Sequence, residues 1–309
     1  MSAKTILLRA GQFLLLTVLY LACFMLGGLL RGDTSTLGSA PADQQWMLFP
    51  ALILVSLVDA GMVMLVVRQS LWRGWRLMLG VAVSLYGVMT VMSQIEVIWF
   101  GPSMGIPASI IPGLFLSSLP LAFVFVPLAV WVLGTARPWN RVGEAARAAY
   151  ARLQMPALQW VWKLAVIAVA YLIFYFGFGL IVAWQNPALR DLYGNGANQA
   201  VFDWWRLIPF QLLRGVLWAL FALPVIAMDR GPAWKTAIVV GLWLALPMNI
   251  AHAIPNPIIP DASVRLSHFV ETSTSNFLFG MLITGLVLWR PQRKPHAASI
   301  HSHSLRSGR

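Results

Sequence analysis

One polar run interrupts the last apolar stretch of the chain: His268-Phe269-Val270-Glu271-Thr272-Ser273-Thr274-Ser275-Asn276. Wound as a helix at about 100° per residue, it puts His268, Glu271, Thr272, Ser275 and Asn276 on one side and Val270, Phe277 and Met281 on the other. An imidazole and a carboxylate at i, i+3 can share a proton or a metal ion. Two more groups fall at the same predicted depth. His252 closes the preceding apolar run across a connection of about a dozen residues, short enough to make the two helices antiparallel neighbours. Glu96 ends a third run, with Ser93 about one turn before it. Together His252, His268, Glu271 and Glu96 would supply four ligands to zinc or iron. With water in one position, a metal-activated hydroxide follows, and the spare glutamate serves as general base. Without a metal the same residues are protonatable groups lining a solute site, or His268 simply pairs with Glu271 where the helix meets interfacial water.

The elements that must position these groups are read from composition. The chain has 309 residues, 59% hydrophobic and 10% charged, whereas soluble domains carry roughly 25% charged residues. This implies an all-α, polytopic integral membrane protein. The net charge of +12 would suggest a nucleic-acid partner in a soluble chain. Here the basic residues sit in short loops between apolar runs, so topology accounts for them and no nucleic acid is implied. Cys23, the single cysteine, excludes an internal disulfide and a cysteine-rich metal site.

Runs long enough to span a bilayer, about 20 residues each, fall near 9–30, 46–67, 77–99, 108–134, 160–184, 207–228, 236–252 and 266–290. They predict an eight-helix transmembrane bundle forming one domain over 1–290, with 291–309 a disordered cytoplasmic tail that carries His296, His301 and His303. Of the 22 basic residues, only Arg31, Arg190, Arg206 and Arg265 fall on one side and Arg214 within a span; all the others lie on the opposite side. The positive-inside bias then puts both termini in the cytoplasm of a bacterial-type inner membrane. An odd number of spans would scramble that alternation. Of the 15 tryptophans, only Trp218 and Trp243 fall well inside a span; the rest cluster at predicted ends, as interfacial rings do. The apolar run after Lys4 and Arg9 exceeds the 7–15 residues of a signal peptide and reads as the first span. Residues 140–154 read as a helix on the cytoplasmic surface.

Several polar groups lie deeper. Asp59, with Ser56 one turn earlier, sits near the centre of the second span, and Arg214 lies in the sixth. Charges at such depth face protein or a water-filled cavity, so these two either pair across helices or handle protons or anions separately. Tyr171 and Tyr175 form an i, i+4 hydroxyl pair. Pro107, Pro112, Pro120 and Pro127 predict a bent or broken fourth span. Gly177, Gly179, Gly280 and Gly285 predict close helix contacts.

Known intramembrane hydrolase patterns are not met. The CAAX-protease set needs a double glutamate with a following arginine, yet Ser93-Gln94-Ile95-Glu96 has one glutamate, and Met248 replaces the phenylalanine of FxxxH. No HExxH occurs. Three functional classes fit the residues: a carrier or permease-like subunit for a small or lipid-like solute, an embedded metal-dependent hydrolase acting on a lipid or peptide at the outer leaflet, and a non-catalytic partner of another membrane subunit.

Overall fold

In hydrocarbon every backbone N–H and C=O must find its partner within the chain, and long apolar runs achieve this as helices. The computed structural model describes residues 2–32, 39–104, 106–136, 151–194 and 203–290. The tail beyond residue 290 and most of the surface helix expected over 140–154 lie outside the described residues. The long helices are α1 (Ala3–Leu30), α2 (Leu48–Gln69), α3 (Gly74–Phe100), α4 (Ala108–Val132) and α5 (Ala157–Ile181). After the short α6 (Pro187–Gly194) come α7 (Trp204–Met228), α8 (Ala233–Asn249) and α9 (Ala262–Leu288). No strand occurs among the described residues, only an isolated antiparallel bridge between Ser70 and Asp229.

Seven of these helices, α1–α5, α7 and α8, are long and apolar enough to cross a membrane, so the chain is a multi-pass helical membrane protein. The 27-residue α9 matches them in length but carries the polar run and falls short in composition.

Contacts between helix ends divide the bundle into two ends. At one, Gln12 of α1 donates to Val132 O of α4 at 2.8 Å, Gly74 N of α3 to Thr135 O at 3.0 Å, and Lys163 of α5 to Trp289 O beyond α9 at 2.7 Å. The α2–α3 and α7–α8 connections meet there through Ser70 and Asp229. Among the described residues, Lys4, Arg9, Arg68, Arg73, Arg76, Arg152, Lys163, Arg230, Lys235 and Arg290, all assigned by sequence to one side, lie toward this end; it is called the basic end below. At the other end lie Arg265, Glu96 and His268.

Proline placement explains α4. Pro107 caps a short 3-10 turn, Pro112 and Pro127 occupy first-turn positions where a missing N–H is harmless, and Pro120 precedes a π turn over Leu121–Phe125. The expected broken helix is therefore four short segments in line. A second π turn, Gly87–Val91, interrupts α3 without a proline. There Gly87 lies against the ring of Phe221 of α7, where a side chain would collide.

Helices in lipid gain little from hydrophobicity against one another and associate through close packing. One close approach joins α8 to α9, where a Cβ on Gly280 would sit 2.8 Å from the Cα of Gly241. Gly280 is thus a contact glycine as expected, but Gly177 and Gly285 face open space. Trp218 and Trp243 are both fully buried, and Trp243 donates to Ser84 of α3 at 2.8 Å. Ser84 in turn donates to Phe221 O at 2.6 Å, so α3 is held between α7 and α8.

Candidate functional site

On α7 the residues Phe210, Gln211, Arg214 and Trp218 recur at three- and four-residue spacing and form one stripe. α3 and α5 cover that stripe. Arg214 is 2% exposed; its Nη2 lies 2.6 Å from Glu96 Oε1 of α3, and its Nη1 donates to Gln211 Oε1 at 2.9 Å. The guanidinium stands over the rings of Tyr171 at 5.4 Å and Phe210 at 5.7 Å. Phe210 stacks on Trp99 of α3, centroids 4.5 Å apart and planes within 10°. Three donors around this pair, Arg214 Nε, Gln211 Nε2 and Trp99 Nε1, are buried with no partner among the described residues, and Trp218 Nε1 is directed at Tyr171. Glu96 keeps 35% of its side chain exposed and forms the open side of the arrangement.

A second group lies on α8 and α9. The turn Ile250–Ala253 that ends α8 carries His252, whose ring stacks on that of His268 with centroids 5.7 Å apart. His268 Nδ1 lies 3.3 Å from Glu271 Oε2, the side chains 17% and 12% exposed. Gly179 of α5 faces that carboxylate: a Cβ there would stand 3.8 Å from Glu271 Oε1. Tyr171 is within electrostatic reach of Arg214, Glu96 and Glu271 and so lies between the two groups.

The frame around them is built from main-chain acceptors. Arg265 donates to Ile259 O and Pro260 O at 2.8 Å each and to Gln44 Oε1 at 2.7 Å, fastening the proline-rich α8–α9 connection to the turn before α2. Asp261 caps α9, accepting from Ser263 N at 2.7 Å.

Several expectations change. Glu96 is held by Arg214, so the four-ligand set of Glu96, His252, His268 and Glu271 divides in two. Among the described residues no three of His, Cys, Asp and Glu gather so as to hold a metal ion. Stacked imidazoles point their in-plane nitrogens along parallel planes instead of at one common centre. Asp59 and Arg214 do not pair. Asp59 of α2 accepts from Tyr20 of α1 at 2.5 Å, both groups fully buried, beside Phe125 of α4. Ser93, Thr272 and Ser275 spend their hydroxyls on Met89 O, His268 O and Thr272 O of their own helices. Asn276 is buried in α9.

Tyr20, Gln211, Phe210 and Trp99 were missed in the sequence. Gln211 could have been found, because a glutamine three residues before an intramembrane arginine lies on the same helical face.

Chemically, the first group is a desolvated cation with one exchangeable carboxylate partner and several donors that a second oxyanion would satisfy. The second is an imidazole–carboxylate dyad able to hold a proton. No family model, no curated protein and no solved structure matches the chain.

Proposed function

We propose that the chain crosses the membrane eight times with both termini cytoplasmic, and that it is a carrier or permease-like protein for a small or lipid-like solute bearing an oxyanion. α9 qualifies as the eighth span because its polar side is covered by protein: Glu271 is 12% exposed and Asn276, Thr284 and Arg265 are buried. The basic residues gathered at one end of the helices support the inward placement of both termini. The observation that carries the functional reading is Arg214, buried on α7 and bonded to a carboxylate that is one-third exposed. A solute carboxylate or phosphate would displace Glu96 from the guanidinium and take up the neighbouring donors. The displaced Glu96 would then face the open side, where it can accept a proton. Asp59 has no part in this exchange, because its partner is Tyr20.

The test uses purified protein in detergent and a probe panel of a monocarboxylate, a dicarboxylate, inorganic phosphate and a short-chain phosphatidic acid. At least one probe should raise the melting temperature. Arg214→Gln should weaken its binding on the order of tenfold or more, the worth of a charge-assisted hydrogen bond. Uptake of that probe into proteoliposomes should be lost in the same variant. A panel with no effect on the wild type, or an effect that survives Arg214→Gln, overturns the reading.

A second reading, an embedded metal-dependent hydrolase, would have to rest on the adjacent His268 and Glu271, with water or substrate completing the metal's shell. It requires about one zinc or iron per purified chain, lost in His268→Ala. Metal-free protein that still binds the solute decides for the carrier.

A further inference from the structure

We infer that the basic end holds an anionic phospholipid headgroup between Arg73 and Arg230, where the α2–α3 and α7–α8 turns lie side by side. The two turns are locked together: Leu71 N donates to Met228 O at 2.6 Å, Arg230 N to Gln69 O at 3.1 Å, and Ser70 pairs with Asp229. This brings Arg68, Arg73 and Arg230 into one patch. Arg68 is committed, its Nη2 donating to Gln12 Oε1 at 2.6 Å, and Arg230 donates to Arg68 O. Arg73 makes no hydrogen bond or ion pair among the described residues, and its Nη1 is buried.

The one acidic group at these turns is turned inward and engaged through one carboxylate oxygen, its Oδ1 being buried without a hydrogen-bond partner among the described residues. Asp229 is 2% exposed and accepts through Oδ2 from Thr236 Oγ1 at 2.6 Å and Gly231 N at 3.0 Å. Its main-chain carbonyl accepts from Arg152 at 2.6 Å. Partial burial first, then the neighbouring Arg230, holds the Arg73 guanidinium below the usual arginine range. Arg73, half-buried, and Arg230, exposed, lie at these turns with no carboxylate paired to either among the described residues, and two neighbouring cations so placed favour an anion.

The surroundings favour a lipid as its source. Trp75, 67% exposed, projects beside Arg73 as interfacial tryptophans do, with Arg76 over its ring at 5.6 Å. Basic pockets between helix ends at a membrane surface are suited to phosphodiester headgroups. This site is at the opposite end of the bundle from Arg214 and stands or falls apart from the carrier reading.

The experiment measures the melting temperature of the full chain in neutral detergent with added phosphatidylglycerol, phosphatidylcholine or inorganic phosphate. Phosphatidylglycerol should stabilise the wild type and phosphatidylcholine should not. Arg73→Gln and Arg230→Gln should each weaken the phosphatidylglycerol effect about fivefold, as expected for one interfacial cation, without lowering the melting temperature in lipid-free detergent. Equal effects of the two lipids, a phosphatidylglycerol effect unchanged in both variants, or an effect reproduced by inorganic phosphate overturns the proposal. Should a variant fail to fold, the wild type decides: raising salt from about 0.1 M to about 1 M must abolish the phosphatidylglycerol effect, and a salt-independent effect overturns it.

Discussion

The two ends of the bundle use cations in opposite ways. At the basic end several bind main-chain carbonyls, Lys163, 1% exposed, donating to Val287 O and Trp289 O, Arg152 to Asp229 O and Gly231 O, and Arg290 to Ala151 O, while Arg68 donates to the neutral Gln12 side chain. At the other end they meet carboxylates: Arg214 with Glu96, His268 with Glu271 and, on the surface, Arg206 with Asp203 at 3.5 Å. A carbonyl at a helix C-terminus neither titrates nor leaves, and the helix dipole favours a cation beside it. A carboxylate can be protonated or exchanged for another. The first arrangement fastens helices together, and the second can be opened by a ligand or a proton. Arg265 is the exception at the site end, holding two carbonyls, and it holds the connection that frames the site.

The largest expected effect breaks the exchangeable pair. Arg214→Gln leaves Glu96 without its cation and the pair's desolvation uncompensated, at a cost of about 3 kcal/mol in unfolding experiments in detergent. Adding Glu96→Gln should recover part of that, with a coupling energy of at least about 1 kcal/mol. Strict additivity would mean that the two groups are neighbours without being partners, and the contrast between the ends would fail.

A smaller loss is expected at the basic end. Lys163→Met removes a buried donor from the last carbonyls of α9 while keeping the length of the stem, and should cost about 1–2 kcal/mol. The decisive feature is its partner. No carboxylate is freed, so no second-site carboxylate neutralisation should rescue Lys163→Met, whereas Glu96→Gln partly rescues Arg214→Gln. Rescue by removal of a carboxylate would show that both ends work by ion pairing.

How far these features are legible in the sequence follows from what hydropathy encodes. Apolar length and the distribution of arginine and lysine mark the helices and sort their ends, because both are read along the chain. Rotation and tilt are set by packing against neighbours, and apolar length does not fix them. The nearness of His252 to His268 was readable, since a short connection forces their helices together. The Glu96–Arg214 pair was not, because α3 and α7 are distant in sequence and only their mutual rotation brings the two groups into contact. Asp59 shows the same limit: its depth was readable, and its partner Tyr20 looked like any aromatic in an apolar run. The π turn of α4 follows from Pro120; that of α3 has no proline, and only the close approach of Gly87 to Phe221 accompanies it. α9 falls short on composition because its polar residues face protein, a distinction invisible to a sum over residue types.

The smallest expected effect sharpens the contrast through pH. Asp261 is fully exposed, and hydrogen bonds from Ser263, followed by that from Val264 N, hold its carboxyl below the usual carboxylate range. A depressed folded-state value means that its cap is fully effective above the ordinary aspartate pKa and is lost as the pH falls through the lower folded value. Amides in the first turn of α9 should therefore exchange faster, after correction for intrinsic rates, as the solution is acidified into that range. Asp261→Ala should show the same loosening already at neutral pH, and Asp261→Asn should largely suppress it, because asparagine caps without titrating. The last turn of α9, where Lys163 binds carbonyls, has no carboxylate in its cap and should keep its protection across the same range. One helix would then have a pH-sensitive end beside the site and an insensitive end at the staple, and equal loosening of both would show that acid acts on the bundle as a whole.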